Sequence, residues 1–426
     1  MRISIVTTGS RGDVQPYIAL GKGLKASGYD VKIITNENFE GFVKSHGLDF
    51  YPITVDLRDI LESEVGMKLL ESGYSYKFIK MFSTLMCEHI EILFQQLLDS
   101  LEDSEFVIFS SVTFIAYHIA KKKGVKCIAA YLQPVTPTND FQSIMFPDKL
   151  NLLPFYNKLS HHIFHQVTWQ TIRSTINKLM VEKLESEKIP FLGDFNKLYS
   201  LNKKEELNIV YGYSPYIIPK PLDWSHNIDI TGYWFLNSDK NEKLSPELEN
   251  FLDTDKKVVY IGFGSMRNRD TNETARIVLN VIKKLDIKAI IMTGWGGFKD
   301  LPSNENISVV ESVPHDLIFP RMSAVVHHCG AGTTSAGLKA GIPTVPIPFF
   351  ADQPFWATKI YRLNVAPKPI DRKNMNETNL YEALKTTLTD ESISKKASYI
   401  GKIIRAEDGV KRAVDIINEK ILKIQN

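Results

Sequence analysis

The chain has 426 residues, of which 43% are hydrophobic and 23% are charged, and its formal net charge is +2. This length predicts two or three domains with their own cores, and the near balance of charge gives no electrostatic case for a nucleic-acid partner. The three cysteines, Cys87, Cys127 and Cys329, are too few for a disulfide framework and lack metal-site spacing, so we expect a cytoplasmic protein.

The first half of the chain alternates short apolar segments with helical patterns. It begins with a strand rather than a signal peptide, and it contains no run of about 18 apolar residues that would predict a membrane span. A helix is predicted from about residue 16 to residue 27. Buried strands are predicted at residues 3–7, 31–35, 106–110 and 126–131. This alternation is typical of a parallel sheet covered by helices.

Residues 141–200 differ from the rest of the first half. They are rich in Phe, Tyr, Leu and His and have a helical period. Two interpretations stay open. Either these helices cover a cleft that forms a substrate pocket, or their apolar residues only pack on the core.

The alternation of strands and helices restarts after the polar residues 237–243. Strands are predicted at residues 258–262, 288–292, 308–310, 324–327 and 344–347. Two such arrays predict two Rossmann-like domains, residues 1–235 and 236–405, which face a cleft at the carboxyl ends of their strands. Residues 406–426 are predicted to form a C-terminal helix that packs back toward the first domain.

The most informative segment is His327-His328-Cys329-Gly330-Ala331-Gly332-Thr333-Thr334. It follows a predicted strand and opens a helix, whose free N–H groups and positive dipole end attract an anion. Small residues allow close backbone approach, and the two threonine hydroxyls can donate to phosphate oxygens. The glycines do not fit the G-x-G-x-x-G fingerprint and come late in the second array, which argues against a dehydrogenase.

A second segment, Phe349-Phe350-Ala351-Asp352-Gln353-Pro354-Phe355-Trp356, places an acid and an amide after the next strand. Asp352 and Gln353 can exchange hydrogen bonds with several hydroxyls at once. Together with the preceding segment they predict a pocket for a sugar that carries a diphosphate. His328 adds a donor at the strand end, although a histidine pair in such a place is more often structural.

Two further candidates have both a functional and a structural interpretation. Ser265 follows the first strand of the second array, so it either approaches the same phosphates or caps the next helix. Asp13 lies just before the predicted first helix. Its carboxylate either removes a proton from a substrate hydroxyl or serves as a helix cap and dipole partner.

Two patterns resemble metal sites, but we expect a metal at neither. Asp253-Thr254-Asp255 has the Asp-x-Asp form that holds a divalent metal in some sugar transferases, yet it lies in a polar approach to a strand, far from any phosphate loop. His161, His162 and His165 place two imidazoles on one helical face, but no third ligand is evident.

Four segments together resemble the family 1 glycosyltransferases of the GT-B fold. The resemblance is strongest to the branch of sterol glucosyltransferases and of enzymes that modify glycopeptides and macrolides. The segments are Gly9-Ser10-Arg11-Gly12-Asp13-Val14-Gln15-Pro16-Tyr17-Ile18-Ala19-Leu20, Val313-Pro314-His315-Asp316, residues 327–334 and residues 348–356. They occur in the family's order over nearly the whole chain. The resemblance implies an α/β protein that transfers a sugar from a nucleotide diphosphate to a hydroxyl, with inversion and without a metal.

The resemblance also assigns roles to residues of a donor site. Ser265 helps to hold the diphosphate, Val313 and His315 meet the base, and Asp352 and Gln353 bind the sugar hydroxyls. The other residues that match diphosphate-binding positions are His328, Gly330, Gly332, Thr333 and Thr334.

On the acceptor side, Asp13 matches the proposed general base of this branch. Ser10 and Arg11 resemble residues that line the phosphate and acceptor side. The histidine base of the plant enzymes has no counterpart in residues 9–16, so the role of base falls to Asp13.

Three positions depart from the family pattern. Cys329 stands where glycine is frequent in this branch. Ala336 and approximately Ser312 stand where the plant members have a ribose-binding glutamate and a base-stacking tryptophan. These departures leave the identity of the base open between two alternatives, UDP, which we expect, and dTDP.

The resemblance implies an enzyme that moves a hexose, with UDP-glucose the expected donor. The aromatic helices predicted between residues 141 and 200 favour a flat, hydrophobic aglycone such as a sterol, polyphenol or polyketide. No cofactor beyond the sugar nucleotide is expected, and a lipid acceptor would bring the protein to a membrane surface as a peripheral partner. Two alternatives remain. One is a GT-B sugar-nucleotide epimerase or hydrolase without an acceptor pocket, and the other is a non-catalytic partner protein that binds the nucleotide sugar.

Overall fold

The structure is a computed structural model that describes residues 1–55, 89–146, 153–191, 207–238, 242–263, 271–293, 301 and 303–425. The chain divides into two compact units, Met1–Leu236 together with Asp408–Asn426, and Asn237–Glu407. Each unit contains a parallel β-sheet with helices, so the predicted α/β class is confirmed. Within the described residues, no helix has both the length and the apolar composition needed to cross a bilayer.

The sheet of the first unit has seven strands within the described residues. They are β1 Arg2–Val6, β2 Asp30–Asn36, β3 Asp49–Ile53, β4 Phe106–Phe109, β5 Lys126–Tyr131, β6 Ile209–Tyr211 and β7 Ile228–Ile230. Their order is β3-β2-β1-β4-β5-β6-β7. Ile5 of β1 is fully buried and pairs with Ile33 on one side and Ile108 on the other. Such continuous apolar strands are typical of a parallel sheet that is covered on both faces.

The sheet of the second unit has five strands within the described residues, in the order β10-β9-β8-β11-β12. They are β8 Val258–Gly262, β9 Lys288–Met292, β10 Ile307–Val310, β11 Ala324–His327 and β12 Thr344–Pro346. Strand β11 lies between β8 and β12, and His327 at its end pairs with Gly262 and Pro346. The loops that follow these three strands therefore leave the sheet at the same edge.

The helices flank both sheets. They are α1 Arg11–Ala26, α2 Glu40–Ser45, α3 Ile115–Lys122, α4 Pro154–Leu184, α5 Pro246–Leu252, α6 Thr271–Leu285, α7 His315–Ile318, α8 Ala331–Ala340, α9 Gln353–Arg362, α10 Glu377–Thr389, α11 Glu391–Ala406 and α12 Gly409–Gln425.

The C-terminal helix α12 packs against α1 within the first unit. Ala413, Ile417 and Ile421 are buried in the same apolar core as the residues of α1. Gly23 on α1 permits this close approach, since a Cβ at that position would lie 2.7 Å from Val410 Cγ1.

Several elements differ from the sequence prediction. Helix α1 begins at Arg11 rather than near residue 16, because Ser10 and Asp13 together form its N-terminal cap. The short strands β3, β6 and β7 were not predicted, since segments of three to five residues leave little periodic signal. The aromatic region 141–200 contains the single long helix α4 within its described part.

Candidate active site

The loop after β11 leads directly into an uncapped helix. Gly330 is the N-cap of α8, with φ −61° and ψ 148°, and no side chain caps the helix. The first amide that bonds within the turn is that of Thr334, which donates to the Gly330 carbonyl at 3.0 Å. Among the described residues, no acceptor is found for the three preceding amides, those of residues 331–333. Free N–H groups at the positive end of a helix dipole are able to bind an anion.

The same loop contains a strained residue. Cys329 has φ +66°, in the left-handed region, and is fully buried. Its N–H donates to His327 Nδ1 at 2.9 Å, which anchors the turn. Because non-glycine residues in this conformation cost about 1–2 kcal/mol, the backbone accounts for the frequent glycine at this position in the related branch.

His328 lies over the beginning of α8 as a neutral imidazole. Desolvation lowers the pKa of His328 to about 4, although the nearby carbonyl of Gly262 favours protonation. A Cβ on Gly330 would lie 2.7 Å from His328 Nε2, so the missing side chain makes room for the ring. His328 Nδ1 is buried and has no hydrogen-bond partner among the described residues. A neutral ring in this place can donate one hydrogen bond to an oxyanion.

The two threonines of the loop differ in exposure. Thr334 is 2% exposed, and its Oγ1 has no hydrogen-bond partner among the described residues. Thr333 is half-buried in the first turn of α8. An orphaned buried hydroxyl is unfavourable unless a ligand or water satisfies it, so Thr334 is consistent with a polar ligand at the helix start.

The loop after β12 presents Asp352 and Gln353 at the start of α9. Asp352 Oδ2 accepts the indole N–H of Trp356 at 2.8 Å. Gln353 Oε1 accepts the amides of Phe349 and Phe350 at 2.8 and 3.2 Å. Among the described residues, the Gln353 Nε2 takes part in no hydrogen bond. The side-chain amide nitrogen can therefore donate to a ligand, while the oxygen holds the loop in place.

The two loops of the second unit lie next to each other. Burial raises the pKa of the Cys329 thiol, and the nearby Asp352 carboxylate raises it further, while a hydrogen bond with the Ile347 backbone lowers it. The N–H of Ile347, directly after β12, donates to the carbonyl of His327 at 3.0 Å, so the chain leaves β11 and β12 side by side.

Val313 and His315 lie at the start of α7, on the same unit. Val313 is buried in the core that also contains Tyr260. The His315 ring stacks on Phe319 with 4.3 Å between ring centroids, and its Nε2 lies 3.2 Å from Tyr260 Oη. These contacts orient the imidazole. Among the predicted donor-site residues, Ser265 lies outside the described part of the chain.

In the first unit, Asp13 caps α1 with one carboxylate oxygen, and its other oxygen accepts no hydrogen bond among the described residues. Its Oδ2 accepts the N–H and the hydroxyl of Ser10 at 2.9 and 2.8 Å. No hydrogen bond reaches Oδ1 among the described residues. Desolvation by burial raises the pKa of Asp13, and the two hydrogen bonds from Ser10 oppose that shift. The structural and the functional interpretation of Asp13 are therefore compatible, because they use different oxygens.

Two further features fix the position of Asp13. Gly9 has φ +131°, and a Cβ there would lie 2.7 Å from Asp13 Oδ2. Asn36 at the end of β2 accepts the Thr8 hydroxyl at 2.7 Å and the Gly9 amide at 3.1 Å. Sequence reasoning missed Asn36, since nothing local connects it to a turn 27 residues earlier.

Arg11 projects from the same turn and is exposed. Its Nε donates to Gln15 Oε1 at 3.0 Å, and its guanidinium lies 4.8 Å from the ring centre of Phe42. The contacts given for Arg11 are therefore with Gln15 and Phe42, and no hydrogen bond or ion pair joins it to the Asp13 carboxylate among the described residues.

The two patterns that resemble metal sites lie apart from these loops. Asp253 and Asp255 are exposed in a turn before β8. His161 and His165 are buried on α4, where desolvation lowers their pKa values to about 4 and about 3. His161 Nε2 lies 3.1 Å from the Phe141 carbonyl oxygen. Within the described residues, no cluster of three His, Cys, Asp or Glu side chains could hold a metal ion.

Comparison with known proteins gives relatives over the whole chain. A family model described as UDP-glucoronosyl and UDP-glucosyl transferase matches residues 58–411. A sterol 3-beta-glucosyltransferase of Arabidopsis thaliana is 34% identical over 430 residues, which are 99% of this chain and 68% of the relative. A sterol 3-beta-glucosyltransferase of Aspergillus clavatus is 34% identical over 440 residues, 98% of this chain but only 29% of the relative.

A solved structure shares the architecture. The crystal structure of the glycotransferase of kitacinnamycin superposes with a TM-score of 0.71 and 18% identity, over 98% of each chain. At this identity the likeness shows the fold alone, which is that of the GT-B glycosyltransferases.

Proposed function

The chain belongs to the UDP-glucoronosyl and UDP-glucosyl transferase family, and we propose that it transfers glucose from UDP-glucose to the hydroxyl of a sterol-like aglycone. Transfer of a sugar follows from the family, whereas the donor, the acceptor and the mechanism are the proposal. The observation that carries it is the uncapped start of α8, flanked by neutral His328 and the orphaned Thr334 hydroxyl.

The second unit supplies groups for each part of the donor. In the proposal, the free amides at residues 331–333 and His328 hold the diphosphate and stabilise the charge that develops on it as it leaves. Asp352 and the Gln353 amide bind the sugar hydroxyls, because they combine an acceptor and a donor beside that loop. Val313 and His315 meet the base, as the family resemblance implies.

The first unit supplies the base. In the proposal, Asp13 takes the proton of the acceptor hydroxyl as its oxygen attacks the anomeric carbon from the face opposite to UDP. The raised pKa of Asp13 favours this role, since a stronger base accepts a proton more readily. One in-line displacement inverts the anomeric centre, and charge on the leaving group is balanced by the protein, so the proposed reaction needs no metal.

The acceptor is proposed from two observations. The curated relatives described above carry the name sterol 3-beta-glucosyltransferase. The described part of residues 141–200 in the first unit is also rich in aromatic side chains, among which Phe141, Phe146 and Phe164 are only half-buried. A flat, apolar aglycone suits such surroundings.

The proposal is tested by incubating the purified chain with UDP-glucose or dTDP-glucose and a panel of sterols, polyphenols and polyketides, with detection by mass. We expect a sterol product heavier by one hexose with UDP-glucose, and UDP release that depends strictly on an acceptor. Equal UDP release without any acceptor would instead identify a hydrolase. A β-linked product from the α-linked donor, formed equally well with EDTA, is the expected sign of inversion without a metal.

A further inference from the structure

One face of α4 is apolar and open to solvent. Its first turns carry Phe155, Tyr156, Leu159 and Ile163, which are 70%, 49%, 37% and 44% exposed. With 3.6 residues per turn, these four side chains fall within an arc of about 100°, and we call them the apolar face. Contiguous exposed apolar surface of this kind indicates contact with another protein or with a membrane.

Another side of α4, about 120° around the helix from the apolar face, already packs on the first unit. Trp169, Ile172 and Ile176 are buried there. The helix is therefore apolar on two sides, and the inner side provides its attachment to the fold. The side chains of the apolar face are exposed and do not attach the helix to the described part of the unit. Their apolar composition therefore indicates a partner outside the chain.

A second element extends the same surface. Leu222 is fully exposed, and the next residue, Asp223, lies 3.3 Å from Lys158 Nζ on the first turns of α4. Asp223 also accepts the Thr138 hydroxyl at 2.7 Å, which fixes the turn that presents Leu222. The exposed Lys220 precedes this leucine by two residues and has no ion pair among the described residues.

The charge along most of α4 is positive, because its first acidic residue is Glu182, near the C-terminal end of the helix. Residues 149–181 contain no Asp or Glu, although the chain has 49 of these residues. The described cations of this stretch are Lys158, which is paired with Asp223, and Arg173 and Lys178. Arg173 lies about five turns from Phe155 on the same side of α4, and its guanidinium is 5.1 Å from the ring centre of the exposed Phe191. An apolar stripe bordered by cations and aromatic rings fits the headgroup region of an anionic bilayer.

We propose that the apolar face of α4, together with Leu222, docks on the surface of an anionic phospholipid bilayer. The proposed function explains the use of this contact, because a sterol-like acceptor resides in membranes. The contact itself rests on the exposed side chains and the charge, so it is expected in the absence of donor and acceptor.

The test measures sedimentation of the purified full chain with vesicles of phosphatidylcholine and phosphatidylserine in a 4:1 ratio. The variant Y156S/I163S changes the apolar face, and its matched control I92S/Y399S changes an isoleucine and a tyrosine that are 49% and 54% exposed elsewhere. We expect the variant to lower the vesicle partition coefficient about tenfold and the control to leave it unchanged. L222S, on a turn rather than a helix, is expected to weaken binding by a smaller factor.

Several results would overturn the proposal. The first is that the unmodified chain does not bind the vesicles. The second is that variant and control lose vesicle binding equally. The third is that the unmodified chain binds vesicles of pure phosphatidylcholine as well as those that contain phosphatidylserine. A dimer in light scattering that Y156S/I163S converts to a monomer would identify a second copy as the occupant. A raised KM of the same variant for a detergent-dispersed acceptor would place these side chains in the acceptor site instead.

Vesicle binding is measured without sugar donor, so its failure is distinguishable from failure of the proposed function. Unchanged UDP binding and an unchanged melting temperature confirm that the variants fold.

Discussion

Two strand-to-helix turns, one in each unit, have similar construction and opposite electrostatic character. In the first unit, β1 leads through Gly9 into α1, and Asp13 in the first helical turn accepts the N–H of Ser10. In the second unit, β11 leads through Gly330 into α8, whose first turn has no acidic residue and no side-chain cap. The positive end of the helix dipole is therefore balanced by the chain's own carboxylate in one unit and left open in the other.

This difference separates the chemistry of the two turns. An open helix start attracts the phosphates of a donor, whereas a start that already carries a carboxylate repels them. The capped start instead holds a half-buried acid, and one of its oxygens accepts no hydrogen bond among the described residues, so it is suited to accept a proton. In the proposed function, binding of the anion and removal of the proton therefore fall to different units, and a single first-turn residue makes the difference.

The largest effect is expected from a substitution that removes the proton acceptor of the first turn but keeps the helix cap. In Asp13→Asn the amide oxygen still accepts the Ser10 N–H, but the side chain cannot take a proton. We expect turnover to fall about 100-fold or more, with little change in the Kd for UDP. Steady-state kinetics and calorimetric titration measure the two effects. Near-normal turnover would reduce Asp13 to a helix cap.

The next effect concerns the sugar-binding pair of the second unit. Both Asp352→Asn and Asp352→Ala remove a charged acceptor, and hydrogen bonds to charged groups contribute about 1.5–3 kcal/mol, so the KM for the donor should rise about 10- to 100-fold. The asparagine retains an oxygen for the Trp356 indole N–H. We therefore expect only the alanine variant to lower the melting temperature as well. A normal donor KM in Asp352→Asn would leave this residue a purely structural role.

A third substitution closes the open turn. Gly330→Ala places a Cβ 2.7 Å from His328 Nε2, so the imidazole must move away from the helix start. We expect the Kd for UDP to rise about tenfold, which corresponds to about 1.4 kcal/mol. Gly337→Ala on the same helix is the control, because its Cβ would meet neighbours at an ordinary 3.5 Å. Equal affinities of the two variants for UDP would argue against a diphosphate at this turn.

The smallest effect is expected from a substitution that changes only the pKa of the proposed base, Asp13. Ser10→Ala removes the hydroxyl hydrogen bond that opposes the rise in the pKa of Asp13. The base must be ionised, so activity is lost as the pH falls through this pKa. Removing the hydrogen bond should therefore move the acid limb of kcat/KM to higher pH, by less than about one unit. Ser27→Ala, at the other end of α1, should leave the limb in place. An unmoved limb in Ser10→Ala would assign it to another group.

Prediction from the sequence was most successful where neighbouring residues form the feature. The strand, the small residues and the helix start of residues 327–334 are contiguous, so their pattern predicted an open turn after a buried strand, and the structure has one. Two features of the turn could not be predicted, namely the left-handed backbone of Cys329 and the buried Thr334 hydroxyl that has no partner among the described residues. Both depend on the packing around the turn. The contribution of Asn36 to the Gly9 turn escaped notice for the same reason.

The sequence alone determined the α/β class, the alternation that builds two sheets, and the motifs that identify the family, because periodicity and short motifs are properties of neighbouring residues. Only the tertiary structure decided that Asp13 uses one oxygen as a cap, that the Gln353 oxygen is taken by the Phe349 and Phe350 amides, and that His328 is neutral. Hydrogen-bond partners and desolvation depend on which segments the fold brings together, and that information is not local to any motif.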